Sequence, residues 1–149
     1  MRSDFLNNNS SKSNGVKRKI INVNADITVT NAMSGSIFML SATGGTVAVT
    51  LPVGSGTGDT VAEDGVYYRF IVEEETPSNA ITIAAGAALI SFVMKDAGGN
   101  ASNSTAGTQV SNIIIGATAQ KADYVELMFV NGEWVGSALS SIDDAITTS

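Results

Sequence analysis

Carboxylates, lysines and hydroxyls are nearly all this chain offers for chemistry. The sequence contains no histidine and no cysteine. It therefore lacks the usual general acid and base near neutral pH, and the residues that make up zinc sites. Nucleophilic triads lose their base, and thiol or disulfide chemistry is excluded. The carboxylate groupings are Glu63/Asp64, Glu73/Glu74/Glu75 and Asp143/Asp144. Each is a run of sequence neighbours in an expected turn or strand end. Neighbours on a strand point to opposite faces, so these read as solvated turn charges and not as an acid/base pair. Calcium is the one metal that the oxygen ligands of Asp96-Ala97-Gly98-Gly99-Asn100 would suit, but their spacing is not that of an EF-hand loop. Gly54-Ser55-Gly56-Thr57-Gly58 is followed by no Gly-Lys-Ser/Thr and reads as a hairpin tip, not a phosphate loop. The expectation is no enzyme and no cofactor.

The elements that must position these residues are short strands. Val47, Val49 and Leu51 alternate with Ala48 and Thr50, and Pro52 closes the run because it cannot donate to a ladder. Tyr67 to Val72, Ile81 to Ile83, Leu89 to Met94, Val110 to Ile115 and Tyr124 to Val130 read likewise. Asn131-Gly132, between Val130 and Glu133-Trp134-Val135, is the strongest short-range hairpin signal. Asp96 to Thr108 reads as a long loop. Nine or ten short strands with frequent turns predict an all-β protein, an antiparallel β-sandwich or jelly-roll-like barrel. In Tyr124 to Val130, Val125, Leu127 and Phe129 share one face, and the other face is also largely apolar. Tyr124, Leu127, Phe129 and Trp134 are thus expected in the core or in a subunit contact.

Charge divides the chain. Residues 1–19 carry Arg2, Lys12, Lys17, Arg18 and Lys19 against Asp4, a balance of +4. From Ile20 onward, three cations face thirteen carboxylates, a balance of −10. Phe5 and Leu6 are the large apolar residues between Met1 and Val16. Such a segment cannot bury enough surface to fold alone. The expected organisation is a basic extended arm over 1–19, a sandwich over 20–139 and a polar tail over 140–149. The acidic body disfavours nucleic acid as the arm's partner, and cations are not interleaved with stacking aromatics. No apolar stretch approaches the length of a membrane span and no secretory signal is read, so no membrane partner is expected and synthesis in a host cytoplasm is.

Several segments, taken in order, resemble the phage capsid decoration (cement) family. They are Asp26-Ile27-Thr28-Val29-Thr30, Ser34-Gly35-Ser36-Ile37-Phe38-Met39-Leu40-Ser41-Ala42 and Val47-Ala48-Val49-Thr50-Leu51-Pro52. Gly65 to Val72, Ser78 to Ile83, Ala122 to Leu127 and Asn131 to Val135 follow. The likeness covers Asp26 to about Ser137. The loop from Thr57 to Asp64 is longer than the family pattern, and the arm lies outside it. The resemblance implies a homotrimeric jelly-roll sandwich on the outer surface of a virion head, tying major capsid proteins together. The arm would then bind the capsid through Arg2, Phe5, Leu6, Lys12, Lys17, Arg18 and Lys19. A carbohydrate-binding or host-attachment module of a fibre or adhesin is the alternative. It would need exposed aromatics, for which the body offers Trp134, Tyr67, Tyr68 and Tyr124.

Overall fold

The computed structural model describes residues 17–54, 56, 58–75, 77–86, 88–98, 101–103 and 109–149, with 101–103 described in backbone alone. Among the described residues, twelve strands form two facing sheets. The chain begins by alternating between them. β1 (Ile20–Val23), β3 (Ile37–Leu40) and β5 (Tyr67–Val72) lie side by side in one sheet. β2 (Ile27–Thr28), β4 (Val47–Thr50) and β6 (Ile81–Ala84) do the same in the other. Because each strand in one sheet is the crossover for the next strand in the opposite sheet, both sets pair in parallel.

The second half completes both sheets. β7 (Ile90–Lys95), β8 (Ala101–Asn103), β10 (Tyr124–Val130) and β11 (Glu133–Leu139) join the first, giving the order β1-β3-β5-β10-β11-β7-β8. β9 (Asn112–Ile115) and β12 (Ile146–Thr148) join the second, giving β12-β9-β6-β4-β2.

The all-β sandwich expected from the sequence is observed. Its ladders are mixed and not wholly antiparallel, since β7 also runs parallel to β11 while β10 is antiparallel to both its neighbours. Two segments expected as irregular contribute strands. β8, within the expected loop, pairs with β7. β12, within the expected tail, pairs with β9, and Ala145 and Ile146 are buried. Their apolar residues are too few to show a period, so their pairing depends on the partner strand.

Alternation decides which face is buried. The inner face of the larger sheet is aromatic: Phe38, Tyr68, Phe70, Phe129 and Trp134 are all buried there. The facing sheet answers with Val47, Val49, Ile81, Ile83, Ile113, Ile115 and Ile146. Broad rings against β-branched chains fill a gap of about 10 Å between packed sheets. Phe38 stacks on Phe70 at 5.0 Å, and Trp134 meets Phe129 at 5.2 Å and Tyr68 at 5.6 Å. Buried ring polar atoms are satisfied: Trp134 Nε1 donates to the Pro52 carbonyl at 3.3 Å and the Tyr68 hydroxyl to the Thr30 carbonyl at 2.9 Å.

The hairpin at Asn131-Gly132 forms as the dipeptide predicts, with φ of 51° and 87°. Opposite Leu127, β11 carries Gly136, where an added Cβ would overlap the Glu126 carbonyl and the Leu127 side chain. Gly136→Ala is therefore expected to cost about 1–3 kcal/mol of stability through overpacking. Gly44→Ala, with open space around it, should cost little. Urea unfolding of the two variants against the parent checks this.

Candidate functional site

The outer face of the seven-stranded sheet is built by the alternate residues of the strands that form the core. In register across β5, β10, β11 and β7, one row reads Tyr67, Met128, Val135, Ser91. The next, starting from β1, reads Ile20, Ile37, Arg69, Glu126, Ser137, Val93. The third reads Asn22, Met39, Ile71, Tyr124, Leu139, Lys95. Val93 is 58% exposed, Leu139 45% and Met128 41%. The face is thus mostly apolar and faces solvent, an arrangement that marks interaction surfaces.

One charged pair crosses its middle. Arg69 Nη1 lies 3.0 Å from Glu126 Oε1 on the adjacent strand. The Arg69 guanidinium also sits 4.4 Å over the Tyr124 ring, and the Tyr67 hydroxyl donates to Glu126 Oε1 at 3.0 Å. From the other side, the Arg18 guanidinium lies 5.4 Å over the Tyr67 ring. The five side chains form a continuous polar chain, Arg18–Tyr67–Glu126–Arg69–Tyr124, with the carboxylate between the two guanidinium groups. Beside it, Tyr67, Val93, Glu126, Met128, Val135 and Gly136 contribute to an open groove of about 350 Å³.

The predicted residues separate cleanly. Leu127, Phe129 and Trp134 are core, and only Tyr124 of that group faces outward. Lys17, Arg18 and Lys19 are exposed beside β1, where the Lys19 carbonyl accepts from Ile37 N at 2.9 Å. Arg2, Phe5, Leu6 and Lys12 lie outside the described residues. Burial withdraws Trp134 and Tyr68 from any sugar-stacking role.

Several acidic residues anchor loops. Asp64 accepts from Asn131 N at 2.8 Å, Asp26 from Ala48 N at 2.8 Å, and Glu74 from Ala42 N. Buried Asp123 accepts from Gln120 N at 2.9 Å and Ser141 N at 2.8 Å. Among the described residues, Asp96, Asp143 and Asp144 bring ligand atoms within 4.8 Å of one another. Asp143 and Asp144 are exposed, and Asp96 and Asp143 have interactions of their own, so proximity alone does not make the group a cation site. No helix of the described residues is long and apolar enough to cross a membrane.

The Arg69–Glu126 pair escaped sequence reasoning because its partners come from distant strands. The signal that could have found it is the period of two in Tyr67/Arg69 and Tyr124/Glu126. Comparison with protein-family models, curated proteins and solved structures finds no match.

The tyrosines report on this environment. Burial pushes the Tyr67 hydroxyl above its usual range, the hydrogen bond and charge of Glu126 push it further, and Arg18 acts oppositely. Burial alone raises Tyr68 well above it. A phenol held neutral in the fold ionises more readily once unfolded. These tyrosines therefore contribute stability below the unfolded pKa of about 10, and it is lost as pH rises through their folded values. Glu126→Gln should move the Tyr67 titration to lower pH, read by tyrosinate absorbance. An unchanged Tyr67 titration would show that Glu126 does not act on it.

Proposed function

We propose that this chain is an adhesion module: a phage capsid decoration protein that binds the outside of the head and ties major capsid proteins together. The observation that carries the reading is the outer face of the larger sheet, exposed, largely apolar and crossed by one ion pair. Such a face suits a protein that works by contact. The order of segments resembling decoration proteins adds the kind of partner. The glycan-binding alternative has less behind it, since two of its four candidate aromatics are buried.

The two parts of the chain take different tasks. The body associates with further copies as a homotrimer through the row Met39, Ile71, Tyr124 and Leu139, all apolar or aromatic and lying on one side of the Arg69–Glu126 pair. The basic arm meets the acidic outer surface of capsid subunits, where charge complementarity mainly sets encounter rate and register. Three arms on one trimer strengthen a weak contact through effective concentration.

Leu139→Glu places a charge on an exposed position of that row. It should leave the protein folded while its mass in light scattering falls from a multiple of 15.3 kDa to the single chain. An unchanged multiple would exclude this row as the contact. Deletion of residues 1–19 should leave a folded, soluble body that no longer co-sediments with heads. Binding of the full chain should weaken as salt rises from about 0.05 to about 0.5 M, because exposed charges are screened within ~10 Å at ~0.1 M. Wild-type occupancy by the truncated chain would remove the arm from the mechanism.

A further inference from the structure

The turn between β10 and β11 holds two groups that can react with each other without a catalyst. Asn131 carries an amide carbon, which is an electrophile. Gly132, next in the chain, carries a backbone nitrogen that can close a five-membered ring on it. Both residues are exposed, and Gly132 has no Cβ to hinder the approach. Among the described residues, neither the Asn131 side chain nor the Gly132 N–H has a hydrogen-bond partner.

We infer that Asn131-Gly132 is a modification site, at which slow uncatalysed deamidation turns Asn131 into aspartate or isoaspartate, and that Asp64 governs the rate by holding the turn closed.

The reaction needs no partner but water. The Gly132 nitrogen bonds to Asn131 Cγ and gives up its proton, the Cγ–Nδ2 bond breaks, and ammonia leaves. The product is a succinimide ring. Water then adds to either ring carbonyl, and the C–N bond of that carbonyl breaks. Opening at Cγ gives aspartate. Opening at the main-chain carbonyl gives isoaspartate, with the main chain rerouted through Cβ and Cγ.

The fold decides how fast this happens. Ring closure requires the Asn131 main chain to rotate out of the two-residue turn, where Asn131 and Gly132 have φ of 51° and 87°. Asp64 Oδ1 accepts from Asn131 N at 2.8 Å and resists that rotation. Two bonds of the same loop reinforce the clasp. Gly65 N donates to the Phe129 carbonyl at 2.9 Å, and Phe129 N donates to the Val66 carbonyl at 2.9 Å. The turn therefore reacts when it opens locally. The Asp64 bond is the member of this clasp made to the reacting residue itself.

The consequence runs one way. Either product puts a carboxylate on the residue whose N–H the Asp64 carboxylate holds, and like charges at short range repel. Isoaspartate also lengthens the main chain within a two-residue turn. Both changes loosen a place where loops meet. The Gly54 backbone packs there against the Gly132 carbonyl, which an added Cβ at Gly54 would approach to 3.3 Å. Two residues on from Gly132, Trp134 Nε1 donates to the Pro52 carbonyl.

Trypsin isolates the site. No Lys or Arg follows Lys121, and Asn131 is the single Asn or Gln of residues 122–149. That peptide therefore reports on Asn131 apart from Asn14-Gly15, the other Asn-Gly of the chain. In mildly alkaline buffer the native chain should convert over weeks, with aspartate and isoaspartate peptides resolved by chromatography and mass. Asp64→Ala should convert roughly five-fold faster, the weight of one lost hydrogen bond in the opening equilibrium. The chain unfolded in guanidinium chloride should be faster still. A native chain that stays unconverted while the unfolded chain reacts fully overturns the site. Equal rates in the native parent and Asp64→Ala overturn the control by Asp64. Asn131→Asp, which reproduces one product, should unfold at lower urea than the parent, and an unchanged midpoint overturns the repulsion. None of these readouts involves heads or self-association, so their outcome is independent of the decoration reading.

Discussion

Trp134 sits where the two sheets meet and shows what the molecule must satisfy. Its ring is fully buried against Tyr68 and Phe129, and its one polar atom reaches the Pro52 carbonyl. A fully buried large apolar side chain contributes about 1.5–3 kcal/mol relative to exposure. The larger sheet supplies several such rings, and the facing sheet supplies β-branched chains that fit between them. Strand alternation then leaves little freedom elsewhere. Each inward residue of β5, β10 and β11 fixes an outward neighbour, so the composition of the core face and that of the outer face are written on the same short strands. The outer face became apolar without giving up a core position.

That constraint explains why the polar groups are where they are. Carboxylates gather in turns, where several accept from backbone N–H groups and hold loops together. Arg69 and Glu126 are the exception, because they sit mid-strand on the outer face and pair with each other across adjacent strands. Partly exposed ion pairs of this kind contribute little stability. Their effect is on the surface: they divide an apolar face into two halves and link one of them, through Tyr67, to Arg18 at the root of the basic arm.

Much of this was legible in the sequence, for reasons that can be named. Val47-Ala48-Val49-Thr50 alternates cleanly because one face is buried and the other wet, and Asn131-Gly132 adopts positive φ where the hairpin needs it. Parallel pairing was not legible. The strands that pair, β3 with β5 and β4 with β6, are separated by a strand of the opposite sheet, and no local pattern records which neighbour a strand will choose. Leu127, Phe129 and Trp134 read as core or contact residues together with Tyr124; alternation put Tyr124 on the opposite face from Leu127 and Phe129, but with both faces apolar it could not say which would be buried. The tyrosine–carboxylate–arginine chain depends on the register between strands, which no local pattern records. β12 escaped because Ile146 makes sense only opposite Ile115.

In the proposed reading, a two-sheet body with an apolar outer face, joined to a basic segment, acts by adhesion. Each feature follows from short alternating strands, and none requires a reactive group. Electron cryomicroscopy of phage heads incubated with the purified full chain tests the attachment role most directly. The expected result is added density on the outer surface at three-fold or quasi-three-fold positions. Bare shells at saturating protein would contradict it.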